Sequence, residues 1–242
     1  MNESKQFLTN LYNKFNKEFN EYRKLPKISF LSGHEDYMLS CEPWEGDILF
    51  LLTLLTNPKS ILEVGCANGY SATQLGTALH FTNNDGKLFL CEISDDYRCM
   101  IEKKIKMAGI KDVSLIIHNF EDYHYMDTVL PKNDIGMIFV DRNSDDIGSY
   151  NDLTFIYPRL MNNNYVLAFH DTWSEKWGST FSIGKGIDRF MESTSDIIKI
   201  MVSGNIPDDI KKDYEGKRCH SFGEESMCIL MPRELYLSVL NQ

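Results

Sequence analysis

The chain has 242 residues, 43% of them hydrophobic and 25% charged, a balance that excludes disordered, collagen-like and membrane-embedded classes. Asp and Glu outnumber Lys and Arg by 35 to 25, for a formal net charge of −10, which repels nucleic-acid phosphates and anionic membrane surfaces alike. The six cysteines contain no C-x-x-C pair and read as reduced thiols, and the polar start MNESKQFLTNLYNKFN has no signal-peptide pattern, so the expected compartment is the cytoplasm.

In chain order, residues 4–24 carry an aromatic-dotted amphipathic helical pattern, and Pro43 opens a second helix over 44–55. The longest apolar run, 48–55 with Thr53 inside it, is too short to span a bilayer. From there short apolar runs alternate with helical patterns. The runs are 61–64, 88–91, 113–117, 136–140 and 165–169, and the helical patterns are 70–80, 96–108, 121–130 and 149–161. This is the βα alternation of a mainly parallel sheet with right-handed crossovers. A Trp-, Ser- and Gly-rich loop over 172–186 leads to a further helix, and strands at 197–202 and 226–231 suit an antiparallel edge hairpin. The expectation is therefore an α/β, Rossmann-like, doubly wound seven-stranded sheet with one antiparallel strand near the C-terminus and helices on both faces. It forms one domain over 1–242, with a helical cap over 1–56 and a core over 57–242.

Open parallel sheets bind ligands beyond the carboxyl ends of their strands. The expected strand ends here read Glu63-Val64-Gly65-Cys66-Ala67-Asn68-Gly69-Tyr70-Ser71, then Glu92, then His118-Asn119, then Asp141, then His170-Asp171. Four of these five ends carry a carboxylate. Gly65 and Gly69 are spaced G-x-x-x-G, with Ala67 and Tyr70 where the G-x-G-x-x-G dinucleotide fingerprint needs glycine, which argues against a bound pyrophosphate and a nicotinamide oxidoreductase. Glu92 stands 23 residues beyond Gly69, where an acid would accept hydrogen bonds from ribose hydroxyls. Together these features suit an adenosine that carries an amino acid rather than phosphates.

The segments ILEVGCANGYSATQLGTAL, KLFLCEISDDY, IKDVSLIIHNFED and NDIGMIFVDRNSDD resemble, in order and spacing, successive motifs of class I S-adenosylmethionine-dependent methyltransferases. Gly-Tyr-Ser, Phe-Val-Asp and Phe-His-Asp-Thr further resemble the metal-dependent small-molecule O-methyltransferases of the catechol and caffeoyl-coenzyme A type, and their bacterial sugar and natural-product relatives. The resemblance covers residues 38–202. It implies S-adenosylmethionine as cofactor, with Glu63 orienting its amino group and Gly65 admitting its methionyl part. Ser71 would hold the carboxylate and Glu92 the ribose, with Ile93, Asn119 and Phe120 around the adenine and Asp141 near the sulfonium. It also implies a hydroxylated small-molecule acceptor and a homodimer; the acidic net charge leaves no nucleic acid or membrane as expected partner.

The same resemblance makes Asp141, His170 and Asp171 the catalytic candidates and the candidate ligands of a divalent metal, Mg²⁺ or Ca²⁺ from the two aspartates, with a neutral His170 as third ligand or general base. Thr172 and Ser144 stand where the catechol pattern has Asn and a catalytic Lys. That departure motivates an alternative, a catalytically inactive binding protein on the same fold. Trp173 and Trp177 are the candidate substrate walls, with Trp44, Tyr150 and Phe181 behind them. Lys104 and Lys106 read as solvated helix surface, and His34, His118, His124 and His220 as structural or surface residues.

Overall fold

The computed structural model of the protein describes residues 3–25, 41, 43–82, 86–142, 144–174, 179–180, 182–202 and 227–241. The five apolar runs form the parallel strands β1 (Ser60–Val64), β2 (Lys87–Glu92), β3 (Val113–Ile117), β4 (Ile135–Val140) and β5 (Val166–Phe169). A two-stranded ribbon, β6 (Trp173–Ser174) and β7 (Ser179–Thr180), follows, then β8 (Ile197–Val202) and β9 (Met227–Pro232). The main sheet has the order β3-β2-β1-β4-β5-β9-β8. β9 is its antiparallel member, inserted between β5 and β8. This is the expected seven-stranded, mainly parallel sheet, and 197–202 pairs antiparallel with 227–232, one residue beyond the end expected for the last strand.

The helices are α1 (Glu3–Lys14), α2 (Asn16–Lys24), α3 (Pro43–Thr56), α4 (Tyr70–Leu79), α5 (Arg98–Met107), α6 (Tyr123–Val129), α7 (Asp146–Ile156), α8 (Ser182–Met191) and α9 (Arg233–Leu240). The single helix expected over 4–24 bends at Phe15, whose φ of −113° and ψ of 23° leave the helical range. The bend lets Phe7, Leu8 and Leu11 of α1 and Phe19 and Tyr22 of α2 all enter one core. The helix expected from 149 begins three residues earlier, because Asp145 caps it by accepting from Gly148 N at 2.6 Å. The helix after the Trp-rich segment starts at Ser182, inside the stretch expected to be loop. Among the described residues no helix is long and apolar enough to cross a membrane.

Side chains of a strand alternate between the two faces of a sheet. Ile61, Leu88, Leu90, Met137, Phe139, Val166 and Ala168 point into a core covered by α1–α5 and α9, whereas Leu62, Phe89, Ile138, Val140, Leu167 and Phe169 point into a second core under α6, α7 and α8. The ladder runs past the strand ends, since Asp141 N donates to Val64 O at 2.8 Å and His170 N to Val140 O at 2.9 Å. Extending the alternation by one step therefore puts Glu63, Glu92, Asp141 and His170 on the same face, beneath α3 and α4.

α3 is buried along nearly its whole length, including two acids, Glu45 and Asp47, both at 0% exposure. Asp47 is held by Arg23 of α2 at 2.8 Å, and the same guanidinium lies 4.4 Å from the Phe19 ring centroid. Trp44, expected near substrate, is instead a core side chain at 2% exposure. Lys104 is likewise buried at 6% rather than solvated, while Lys106 is exposed. The five described cysteines, Cys41, Cys66, Cys91, Cys99 and Cys228, form no disulfide.

Removing the cation of a buried pair leaves the remaining charge uncompensated. Arg23→Met is expected to lower stability by about 2 kcal/mol, a fall of ~4–8 °C in Tm for a chain of this size. A thermal melt unchanged from the wild type would show that α2 docks on α3 without the ion pair.

Candidate active site

The strand order reverses between β1 and its neighbours β2 and β4, and such a switch point opens a crevice at the carboxyl ends of the strands. The loop leaving β1 begins at Gly65, with φ +86°, where a Cβ would lie 1.9 Å from the Asp141 carbonyl oxygen. Glycine is required there by the backbone of β4, which closes on the loop from below. Gly69, at φ +81°, then turns the chain into α4.

Glu92, at the end of β2, ties this loop down. Its Oε2 accepts from Ala67 N at 2.8 Å, and its Oε1 from Ile93 N at 2.8 Å and Ser94 N at 2.9 Å. A carboxylate offers about four acceptor directions, so Glu92 retains room for one further donor without giving up a backbone contact.

Glu63 is fully buried, and one of its oxygens accepts a short hydrogen bond from Ser71 Oγ. The other, Oε2, is buried without a partner. Burial pushes the carboxyl up to about 8; Ser71 opposes the shift and the nearby Asp141 and Glu92 add to it. Ser71 thus spends its hydroxyl on Glu63.

His170 meets three carboxylates. Its Nε2 lies 3.1 Å from Glu45 Oε2, and its Nδ1 lies 3.2 Å from Asp141 Oδ1 and 3.3 Å from Asp171 Oδ1. Neither ring nitrogen makes a well-aligned hydrogen bond, so the contacts are ionic rather than linear. Burial alone would push the imidazole's pKa down, but Glu45, Asp141 and Asp171 together overcome it and hold it well above the usual histidine range. Carboxylates on two sides favour the charged ring over the neutral ligand or base expected from the sequence. Asp171 adopts a left-handed backbone, φ +52°, a sparsely populated conformation for a residue other than glycine.

A cavity of about 300 Å³ opens at this switch point, lined by Gly65, Ala67, Glu92, Ile93, Tyr97, His118, Asn119, Phe120, Asp141 and Arg142 among others. Six candidates therefore share it: Gly65, Glu92, Ile93, Asn119, Phe120 and Asp141. Glu63 and Ser71 lie beneath its floor, and His170 and Asp171 flank Asp141. Asn119 Oδ1 accepts from Glu121 N at 3.1 Å, shaping the turn after β3. Four residues of the site escaped the sequence reading as functional candidates: Glu45, Tyr97, His118 and Arg142. Glu45 had a signal, an acid inside an otherwise apolar helix. Arg142 binds Asp152 at 2.6 Å and Glu121 at 3.1 Å, so the cation beside Asp141 is committed to other acids.

Among the described residues no group of three or more His, Cys, Asp and Glu side chains is disposed to hold a metal ion. Asp141 Oδ1 and Asp171 Oδ1 both converge on His170 Nδ1, which lies within 3.3 Å of each. Trp173 lies on β6, where only its backbone is described, and Trp177, Phe181, His34 and His220 lie outside the described residues. Tyr150 is half-buried, with the Arg189 guanidinium 4.4 Å from its ring centroid.

Comparison with known proteins gives a consistent picture. The family described as O-methyltransferase matches residues 23–175. Tricin synthase 2 of rice, Oryza sativa subsp. japonica, is 29% identical over 156 residues, 63% of this chain and 50% of that protein; the chain spans about half the length of this curated relative. The O-methyltransferase TomG from Streptomyces achromogenes, solved with S-adenosylmethionine, superposes with a TM-score of 0.59 at 20% identity, covering 96% of this chain and 90% of that one. The Bacillus cereus O-methyltransferase solved with S-adenosylhomocysteine gives a TM-score of 0.57 at 16% identity, covering 92% and 90%. These two likenesses establish the fold.

The raised pKa of Glu63 has a stability consequence with a definite sign. A carboxyl whose folded value lies above its unfolded one contributes stability that is complete below the unfolded pKa and is lost as pH rises through the folded one. Between about pH 5 and about pH 8.5 the ligand-free wild type should lose at least ~5 °C more of its Tm than Glu63→Gln, which cannot ionise. Parallel melting profiles for the two proteins would contradict the burial argument.

Proposed function

Because the chain belongs to the O-methyltransferase family, we propose that it transfers a methyl group from S-adenosylmethionine to a hydroxyl oxygen of a small molecule. The observation that carries this reading is the arrangement of acids at the switch point. Glu92 and Asp141 line a cavity of about 300 Å³, and Glu63 is buried on the same face of the sheet; the volume is at the lower end of those that small-molecule sites occupy, ~300–1,000 Å³.

The residues present fit the cofactor. Buried and unpartnered, Glu63 Oε2 suits an ammonium group reached through the glycine loop. Glu92 has room for one ribose hydroxyl, and Phe120, Tyr97 and Ile93 offer apolar surface for an adenine. Bound S-adenosylmethionine supplies a methyl group on a cationic sulfonium, and the acidic face favours that charge.

The chain's own contribution is positioning and proton handling. Asp141, a quarter exposed, borders the cavity, and Asp171, nearly half exposed, is the more open carboxylate of the cluster. We assign the acceptor hydroxyl's proton to Asp171. The His170 ring lies between the two carboxylates, with Nδ1 3.2 Å from Asp141 Oδ1 and 3.3 Å from Asp171 Oδ1. Holding the reacting groups in one geometry supplies most of the rate in such a transfer. No step is routed through a divalent cation.

Two measurements test the reading. Calorimetric titration with S-adenosylhomocysteine is expected to show micromolar binding, and Glu92→Gln to weaken it by at least ~tenfold, about 1.4 kcal/mol. Undiminished affinity in that variant would sink the cofactor assignment. With labelled S-adenosylmethionine and a panel of catechols, flavones, sugars and polyketides, Asp171→Asn should lower turnover on any accepted compound by ~100-fold or more while leaving S-adenosylhomocysteine affinity in place. Cofactor binding with no transfer to any hydroxyl would favour the inactive alternative.

A further inference from the structure

Arg142 follows Asp141 directly in the chain, yet its guanidinium engages two other acids. Nε at 3.0 Å and Nη2 at 2.6 Å both donate to Asp152 Oδ2 in α7, and Nη1 donates at 3.1 Å to Glu121 Oε1 in the turn after β3. The other oxygen of Asp152 accepts from the Tyr123 hydroxyl at 2.7 Å, in the first turn of α6. The two ion pairs are unequal. Glu121 is half exposed, and a pair of that kind contributes little. Asp152 is only 1% exposed, so its pair with Arg142 is shielded from the screening of bulk water. One cation thus joins the end of β4 to α7 and, through Asp152, to the start of α6.

Phe120 stands at this junction. It lines the cavity together with Arg142, and its ring has no polar atom to fix it, so its place depends on what it packs against. Tyr123 meets it edge-on at 6.2 Å between centroids, Phe155 of α7 edge-on at 5.8 Å, and the Arg142 guanidinium lies 6.0 Å from its centroid. Tyr123 and Phe155 in turn stack on one another at 4.8 Å. Two of these three neighbours belong to the hydrogen-bonded chain Arg142–Asp152–Tyr123, and the third shares α7 with Asp152. Resting on the methyltransferase reading above, we propose that Arg142 is a positioning residue for the base of the cofactor: through Asp152 and Tyr123 it holds Phe120 in place as the wall on which the adenine packs. A wall already in place need not be ordered when the ligand arrives. Loss of the network is therefore felt by a ligand that carries the base, and not by one that lacks it.

The test compares S-adenosylhomocysteine with S-ribosylhomocysteine, the same molecule without its base, by calorimetric titration of the full chain and by competition where binding is weak. Arg142→Met alone strands the Asp152 carboxylate in the interior, so it is combined with Asp152→Leu; replacing both partners of a buried ion pair by apolar side chains is often neutral for stability. The double variant is expected to melt near the wild type and to bind S-adenosylhomocysteine at least ~tenfold more weakly, while its affinity for S-ribosylhomocysteine stays that of the wild type. Equal losses for the two ligands, or no loss for either, overturn the proposal, because a purely structural network either loosens the whole site or leaves it alone. If the double variant does not fold, Tyr123→Phe decides, since it deletes one hydroxyl and keeps the ion pair. It should weaken S-adenosylhomocysteine binding ~threefold or more with S-ribosylhomocysteine unaffected, and equal losses or none overturn the proposal there too. A wild type that binds neither ligand counts instead against the methyltransferase reading, so the two failures remain separable.

Discussion

Parallel pairing of β1 with both β2 and β4 is the constraint from which the site follows. It brings three strand carboxyl ends side by side, and the pleat then allows each end residue only one of two faces. Glu63, Glu92 and Asp141 take the same face, and β5 adds His170 to it. A shift of one residue in any of these strands would send its polar end into the apolar core beneath α6, α7 and α8. Register and chemistry are therefore set together.

Like charges gathered in this way need compensation, and the fold supplies it in three forms. Backbone N–H groups of the loop and of the turn after β2 surround Glu92. Protonation is the answer at Glu63, whose carboxyl burial pushes up to about 8. The buried His170 ring, whose pKa these acids raise, serves Asp141, Asp171 and Glu45. The first is fixed by the backbone, whereas the second responds to whatever cation arrives. An ammonium group at Glu63 Oε2 would favour the ionised form, so ligand binding and release of the Glu63 proton are coupled. α3 takes part in this balance because its first turn carries Glu45, and the Arg23–Asp47 pair two residues further on seats the helix.

Much of this was legible in the chain. The βα alternation, the strand-end acids, the absent dinucleotide fingerprint and the antiparallel pairing of the last two strands of the sheet all follow from local patterns. The common face of Glu63, Glu92, Asp141 and His170 was within reach as well, by counting in twos from the strand centres. What escaped is long-range. Nothing near residue 45 says that α3 will lie across the end of β5, so the Glu45 partner of His170 was hidden. Trp44, a lesser candidate for a pocket wall than Trp173 or Trp177, was settled in the same way: tertiary packing put it in the core at 2% exposure. The break at Phe15 is also a tertiary decision, since the local pattern runs on through it.

Gly65 shows how a correct residue can carry a different reason. Its position in the loop suggested room for a ligand, yet the atom that excludes a side chain is the carbonyl oxygen of Asp141, 1.9 Å from where a Cβ would stand. The glycine serves first to let β4 close against the end of β1. The consequence is mechanical: the loop that would meet the amino-acid part of the cofactor and the aspartate that borders the reacting centre rest on one another's backbone, with no side chain between them. Neither backbone can shift here without displacing the other, and Asp141 Oδ1 in turn lies 3.2 Å from His170 Nδ1.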